Sequence, residues 1–268
     1  MQLEKSGNQI KNIQFKKNQI VIQLLSGEEI ITYENVFTNF YLYVGKELLD
    51  SEIKKIKEEN ELYSLKKYLL NLINKKLYSQ KEIEKKLLFK KVDKQTIDKL
   101  ISYLKEFNFI NDQKLIKILN EEYQLKLYGE KKILFNLQER GLPNNLIASL
   151  SFDRENEIKK AKQLINQYLK KEINKSSLKI KNDLYAYLIR NGYSNEIAIN
   201  FIEDKNYFSK KDDEAILFKT LQKYVIIHKV DLFDSTQKDK LIKRFLNRGF
   251  SINLINKGIK EILDGKIS

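Results

Sequence analysis

The sequence contains no cysteine and no tryptophan, one proline and only nine glycines among its 268 residues. Without cysteine the chain has no disulfide, no thiolate metal ligand and no cysteine nucleophile. Because proline and glycine interrupt helices, their scarcity favours long helices joined by short turns. No apolar run approaches the roughly 18 residues that span a bilayer, and residues 1–5 lack the apolar stretch of a signal peptide. We therefore expect a cytoplasmic protein that does not enter a membrane.

Acidic residues are too few to balance the basic ones, with 36 Asp and Glu against 50 Lys and Arg and a formal net charge of +14. Such a surplus favours a polyanionic partner such as nucleic acid. Nearly all the basic residues are lysines, however, and Lys, Asn and Ile are abundant throughout, as in any protein encoded by an AT-rich genome. The charge alone therefore does not decide between the two explanations.

Residues that usually carry catalysis are also scarce. The chain has one histidine, His228, which we expect to be a partly buried helix residue and not a base. There is no P-loop, no dinucleotide-binding glycine pattern and no cluster of His, Asp and Glu with metal-ligand spacing. We therefore predict that the protein is not an enzyme and that it uses no cofactor and no metal.

What is present begins with a β pattern. Ile13 and Phe15, and then Ile20, Ile22 and Leu24, alternate with polar neighbours, as in half-buried strands. The turn at Ser26-Gly27 and the β-branched run at residues 30–33 complete a small antiparallel meander. A short helix is predicted at 34–41, and a further helix, capped by Asp50 or Ser51, is predicted to run to about residue 59.

From about residue 61 the apolar period becomes helical, and a repeat is visible. Three turns share the pattern Arg-Gly or Asn-Gly followed by an apolar residue, with their glycines at Gly141, Gly192 and Gly249, and Lys91 takes the glycine position in a fourth copy. We refer to these four as the anchor positions. In such a turn the anchor residue adopts a left-handed conformation that ends one helix, and Ser194 and Ser251 are placed to cap the next.

The residues at fixed offsets from the anchors are apolar in all four copies. These offsets are eight and four residues before the anchor, and one and six residues after it. The anchors are spaced by 50 (91 to 141), 51 (141 to 192) and 57 (192 to 249) residues, which is enough for three short helices per copy. We predict a mainly α protein, an elongated array of tandem three-helix repeats at 61–111, 112–152, 153–209 and 210–268, preceded by a β segment at 1–60. The alternative is one irregular helical domain.

Three stretches of this repeat resemble the RecX family. Residues 76–87 read KLYSQKEIEKKL, similar to the family pattern R-x-x-S-x-x-E-L-x-x-K-L, and residues 104–112 read LKEFNFIND, similar to L-x-x-x-x-Y-x-(D/N)-D. Residues 128–142 read YGEKKILFNLQERGL, similar to x-G-x-x-x-I-x-x-x-L-x-x-(R/K)-G-(I/V). The specific match covers about 61–152. The additional repeat and the β segment resemble the longer members of low-GC Gram-positive bacteria and their wall-less relatives.

The sequence also departs from the family pattern. Leu115-Ile116 stands where the family usually has Phe-Ala, Lys91 replaces a glycine, and lysines replace the arginines common near Gly129. Each substitution keeps an apolar residue or a positive charge, except at the anchor.

The resemblance implies regulation of RecA, the ATPase that coats single-stranded DNA during recombination, DNA repair and the SOS response. RecX proteins lie along the groove of the RecA–DNA filament and typically inhibit its recombinase, ATPase and co-protease activities. The implied partners are the RecA filament and single-stranded DNA, contacted directly or through RecA, and we expect a monomer. Basic residues near the repeat turns are the candidate contacts: Lys85, Lys86, Lys90, Lys131, Lys132, Arg140, Arg244 and Arg248.

Two other interpretations stay open at this point. The net charge and the recurring helix–turn–helix spacing also permit a helical-repeat DNA-binding or adaptor protein unrelated to RecA. Each candidate lysine, moreover, has the ordinary alternative of being a solvated residue on a helix face.

Overall fold

The computed structural model describes residues 7–171, 174–204 and 213–265. It begins with an antiparallel sheet of three strands in the order β1 (Ile10–Lys16), β2 (Gln19–Leu24) and β3 (Glu29–Thr32). The described helices follow: α1 (Glu34–Asn39), α2 (Asp50–Ile73), α3 (Gln80–Phe89), α4 (Lys94–Glu106), α5 (Asp112–Leu125), α6 (Glu130–Glu139), α7 (Asn144–Ala148), α8 (Arg154–Leu169), α9 (Ser177–Arg190), α10 (Asn195–Glu203), α11 (Asp213–His228), α12 (Ser235–Asn247) and α13 (Ile252–Leu263). The predicted class, mainly helical with a small N-terminal antiparallel sheet, is confirmed.

The sheet buries one face against helices α1 and α2. Ile22 of β2 pairs with Ile30 of β3, and both join a core cluster that includes Ile56 of α2. The Thr32 hydroxyl donates a buried 2.9 Å hydrogen bond to Asn60 Oδ1, which ties the last strand to the same helix. A sheet this small depends on the packing of its hydrophobic face, and Ile53 and Ile56 of α2 supply part of the apolar surface that covers it.

Three details of this region differ from the sequence prediction. The helix expected to end near residue 59 continues as the single helix α2, because Ile53, Ile56, Leu65 and Leu69 are buried along its length. The N-cap residue of α2 is Leu49, and not Asp50 or Ser51. The Leu49 backbone N–H donates to Glu52 Oε2 at 3.0 Å. Phe15 was expected on the buried face of its strand but is mostly exposed, because it lies at the end of the sheet where the core stops.

The four anchor residues all have the left-handed backbone that the repeat predicts, with φ of 61° at Lys91, 70° at Gly141, 87° at Gly192 and 86° at Gly249. After each anchor, the next N–H bonds to the carbonyl four residues before the anchor, as from Tyr193 to Leu188 at 3.2 Å. This is the Schellman ending of a helix, in which the two residues so joined also pack together. The residues at all four predicted offsets are buried in every copy, which confirms the repeat pattern.

The helix starts follow from short capping side chains. Ser79 and Glu82 form a capping box at α3, where Ser79 Oγ accepts from the Glu82 N–H at 3.1 Å and the Ser79 N–H donates to Glu82 Oε2 at 2.9 Å. The hydroxyls of Ser194 and Ser251 accept from the third backbone N–H of α10 and α13, as predicted. Each cap satisfies a donor that has no partner inside the helix.

We group the helices from α2 onward, in chain order, into four triads that follow the predicted repeats: α2–α3–α4, α5–α6–α7, α8–α9–α10 and α11–α12–α13. The first, third and fourth triads each carry a cluster of buried apolar side chains of their own. The chain divides into two compact units, one ending at Leu115 and the other beginning at Ile116. The finer division into a β segment and four repeats stays a prediction.

Candidate functional site

The eight candidate basic residues lie on or at the end of three helices, each the middle helix of its triad. They are Lys85, Lys86 and Lys90 at α3, Lys131, Lys132 and Arg140 at α6, and Arg244 and Arg248 at α12. Three of them are the C-cap residues of these helices, where a positive charge interacts favourably with the negative end of the helix dipole.

The lysines of α3 differ in their surroundings. Lys90 Nζ lies 4.5 Å from the centre of the Tyr68 ring, and Lys86 Nζ lies 5.4 Å from the centre of the Tyr78 ring. Both distances are typical of cation–π interactions, each of which contributes about 0.5–1 kcal/mol at an exposed site. Lys85 is exposed. The aromatic rings therefore position two of the three ammonium groups at the surface.

Lys132 has a structural partner in the neighbouring triad. Its Nζ donates to Asn191 Oδ1 at 3.0 Å and lies 4.0 Å from the centre of the Tyr128 ring. Burial lowers the pKa of the Lys132 ammonium group. Lys132 therefore helps to join two triads, and a substitution there would disturb the fold as well as any binding surface.

The other two basic residues of α6 lie at opposite ends of the helix. Lys131 is exposed at its start, and Arg140 is half buried at its C-cap. A separation of nine residues along a helix corresponds to about 13 Å, so the two charges do not form one patch. Arg140 lies close enough to Tyr123 for its charge to oppose the rise that burial causes in the pKa of the tyrosine hydroxyl.

The basic residues of α12 cluster around aromatic rings. The Arg244 guanidinium lies 4.5 Å from the centre of the Tyr224 ring, and that of Arg248 lies 5.1 Å from the centre of the Phe245 ring. Burial lowers the pKa of Arg248, and the charge of Arg244 lowers it further. His228 was expected to be partly buried but is exposed at the end of α11, with its ring 4.2 Å from that of Tyr224.

A second feature, which the sequence did not reveal, is a carboxylate at the start of the middle helix in the first three triads. The first N–H of the helix bonds to an acidic side chain near the start of the next triad: Gln80 N–H to Asp112 Oδ1 at 3.0 Å, Glu130 N–H to Glu157 Oε2 at 3.0 Å, and Ser177 N–H to Asp213 Oδ1 at 2.9 Å. A negatively charged side chain at this position accepts a hydrogen bond from a backbone N–H that has no partner inside the helix. Its charge also interacts favourably with the positive end of the helix dipole. Asp112 and Asp213 each lie 21 residues after an anchor (112 − 91 and 213 − 192), so the anchored alignment held a signal for them.

The junction between the second and third triads also contains a buried ion pair. Glu157 and Lys160 are both buried and paired with each other, and Lys160 Nζ donates to the Tyr128 carbonyl at 2.7 Å. The Tyr193 hydroxyl donates to the Leu127 carbonyl at 2.8 Å, and burial raises its pKa. The Lys160 and Tyr193 hydrogen bonds to the carbonyls of Tyr128 and Leu127 therefore join the third triad to the loop between α5 and α6 of the second.

Within residues 7–171, 174–204 and 213–265, no three His, Asp or Glu side chains are grouped to hold a metal ion. None of the helices in those ranges is both long enough and apolar enough to cross a membrane. The arrangement offers charged and aromatic surfaces for contact with a partner.

The chain is 32% identical over 166 residues to a protein of Clostridium beijerinckii named Regulatory protein RecX, and the match covers 60% of this chain and 78% of that relative. The chain belongs to the RecX family. A longer RecX match, to Regulatory protein RecX of Listeria welshimeri, is 27% identical over 233 residues and covers 85% of this chain and 86% of the relative. No family model matches the chain.

The RecX fold is also found among solved structures. A crystal structure of regulatory protein RecX matches with a TM-score of 0.55 at 19% identity, over 73% of this chain and 99% of the other. At that identity the similarity shows the fold alone. Membership of the RecX family supports a regulatory role for this chain, and the family resemblance found at residues 76–142 is confirmed.

Proposed function

We propose that the protein binds the RecA–single-stranded DNA filament along its groove and modulates, typically by inhibition, the recombinase, ATPase and co-protease activities of RecA. The observation that carries this proposal is the match to Regulatory protein RecX over 78% of that relative's length. On this proposal the protein acts in DNA repair in the cytoplasm, as a monomer and without catalysis or a cofactor.

The exposed cations give the proposal a physical basis. Lys85, Lys131 and Arg244 are exposed on the middle helices of three different triads. One exposed ion pair contributes only about 0–1 kcal/mol. Several such contacts in one chain add up, because the first contact raises the effective concentration of the others. Regulation by the whole chain therefore needs no single strong site.

The test is an assay of RecA ATPase activity and strand exchange on single-stranded DNA, with this protein at substoichiometric concentration. We expect the wild-type protein to slow both. The variant Lys85→Glu/Lys131→Glu/Arg244→Glu should need about tenfold more protein for the same effect, since reversing a charge turns attraction into repulsion. Lys132 and Arg140 are left unchanged because they are partly buried.

A matched control separates site-specific contacts from net charge. Lys11, Lys162 and Lys219 are also exposed but lie away from the repeat turns, and their reversal to Glu changes the net charge by the same amount. Equal loss of activity in the two triple variants would contradict the proposed contact residues. No change in either RecA activity with folded wild-type protein, together with tight binding to DNA alone, would favour a DNA-binding protein unrelated to RecA.

A further inference from the structure

A groove of about 510 Å³ lies at the tip of the β1–β2 hairpin. It is lined by the hairpin turn, by the start of α1 and by the middle of α2, all within the first compact unit. None of the eight basic residues discussed above lines it. A groove of this size falls in the range of ligand-binding clefts.

Two pairs of aromatic rings line the groove. Phe15 is 72% exposed, and its ring and that of Phe37 in α1 meet edge to face, with a centroid distance of 5.5 Å and an interplanar angle of 73°. The rings of Tyr33 and Tyr63 lie 4.5 Å apart at 41°. Phe15 pairs in register with the buried Ile20, so its ring projects from the core-facing side of the sheet, beyond the end of the core. The groove thus presents aromatic surface that the fold itself leaves uncovered.

The charges around these rings are mainly positive. Lys16 and Lys17 lie at the hairpin turn, Lys67 lies on α2, and all three are exposed. Glu34 is the one acidic residue among those that line the groove. The groove therefore favours an anionic partner over a neutral or a cationic one.

We propose that this groove binds single-stranded DNA, with bases stacked on the Phe15 and Tyr33–Tyr63 rings and phosphates close to the three lysines. Sites that combine aromatic platforms with a basic track bind single strands with little sequence preference. A duplex would not fit this chemistry, because its base faces are stacked on one another. The choice of DNA over RNA rests on the proposed function. The groove would add a DNA contact outside the helical repeats.

The experiment measures binding of a fluorescently labelled oligothymidylate of about 12 nucleotides, within the range of single-strand site sizes, to the full chain without RecA. Phe15→Ala should raise Kd at least about fivefold, the effect expected from loss of one stacked base. Lys16→Gln/Lys17→Gln should reduce the slope of log K against log salt by about 1.4, if each lysine contacts one phosphate. Ultraviolet cross-linking to thymine should map to peptides that contain residues 15–17, 33 or 63–67.

The controls are an aromatic residue and a lysine outside the groove. Tyr43 is 61% exposed, and Lys11 lies on β1, so Tyr43→Ala and Lys11→Gln should leave Kd nearly unchanged. Equal affinities for Phe15→Ala and Tyr43→Ala, or cross-links confined to other peptides, would overturn the inference. So would equally tight binding to duplex DNA. RecA is absent from this assay, so such a failure would not contradict the proposed regulation of the RecA filament. The RecA ATPase and strand-exchange assay tests that function separately.

Discussion

Gly129 and Gly192 lie so close together that a Cβ atom on Gly129 would stand 2.5 Å from the carbonyl carbon of Gly192. The contact is made by main chain on both sides. The Gly129 N–H donates to the Asn191 carbonyl at 2.7 Å, and the Lys131 N–H donates to the Gly192 carbonyl at 3.1 Å. The start of α6 therefore packs directly against the turn that ends α9, and neither glycine has room for a side chain.

We expect Gly129→Ser to destabilise the protein, although Ser79 and Ser176 occupy the same N-cap position in α3 and α9. Serine is the better N-cap, but only by a few tenths of a kcal/mol over glycine. The new side chain would have to displace main-chain atoms, and overpacking of this kind costs about 1–3 kcal/mol. Urea unfolding followed by far-ultraviolet circular dichroism measures the net loss.

The control for this change is Gly7→Ser. A Cβ at Gly7 would meet its nearest neighbour, the Ser26 Cβ, at an ordinary 3.4 Å. That variant should unfold at nearly the wild-type urea concentration. If Gly129→Ser were as stable as Gly7→Ser, the close approach of the two turns would be wrong.

The same region shows how far the sequence could predict the fold. The left-handed turn at Gly192 and the burial of Leu184 and Leu188 follow from local patterns, because helix endings and apolar periods depend on residues near one another. The contact of that turn with α6 joins residues about 60 positions apart. No local pattern specifies such a contact, and a glycine at an N-cap is by itself unremarkable.

The same distinction explains the mixed outcome for the candidate site. Composition and spacing selected basic residues near the repeat turns, but they did not separate the exposed Lys131 from Lys132, its neighbour in sequence. Lys132 donates to Asn191 of the next triad, and that partner is fixed only by the tertiary fold. Likewise, the groove beside Phe15 depends on where the sheet core ends, which strand alternation does not reveal.

Lys91 offers a test of the anchor positions. Its φ of 61° is a conformation that costs a residue with a side chain about 1–2 kcal/mol, whereas glycine adopts it freely. Lys91→Gly should therefore stabilise the protein by about 1 kcal/mol, after allowance for the greater freedom of glycine in the unfolded chain. Chemical denaturation of the purified variant gives the value.

The comparison for this variant is Lys99→Gly, in the interior of α4. That lysine is also exposed, but its backbone is helical, and glycine there should cost about 1 kcal/mol. The two substitutions are identical in chemistry and opposite in expected sign. A loss of stability at both positions would mean that Lys91 does not hold the turn conformation described above.

The raised pKa of Asp112 leads us to expect an unusual dependence of the free energy of unfolding on pH. Burial raises the pKa of its carboxyl above the ordinary value of 3.8, although the hydrogen bond from the Gln80 N–H opposes that rise. In the interval between 3.8 and the raised pKa, the folded state binds the proton more tightly than the unfolded state does. Stability therefore falls as the pH increases through that interval. Asp112→Asn keeps an acceptor oxygen but cannot ionise, so it should match the wild type near pH 3.5 and exceed it at pH 7.

Asp93 provides the opposite case in the same compact unit. Hydrogen bonds from Thr96 lower the pKa of this exposed N-cap carboxyl, so its contribution is present above pH 3.8 and is lost as the pH falls through the lowered pKa. Asp93→Asn should accordingly be less stable than the wild type at pH 7 and approach it in acid. Urea titrations of both variants at pH 3.5, 5 and 7 compare the two trends. Parallel pH profiles for the two variants would contradict the burial of Asp112 against the start of α3, because only that environment reverses the sign.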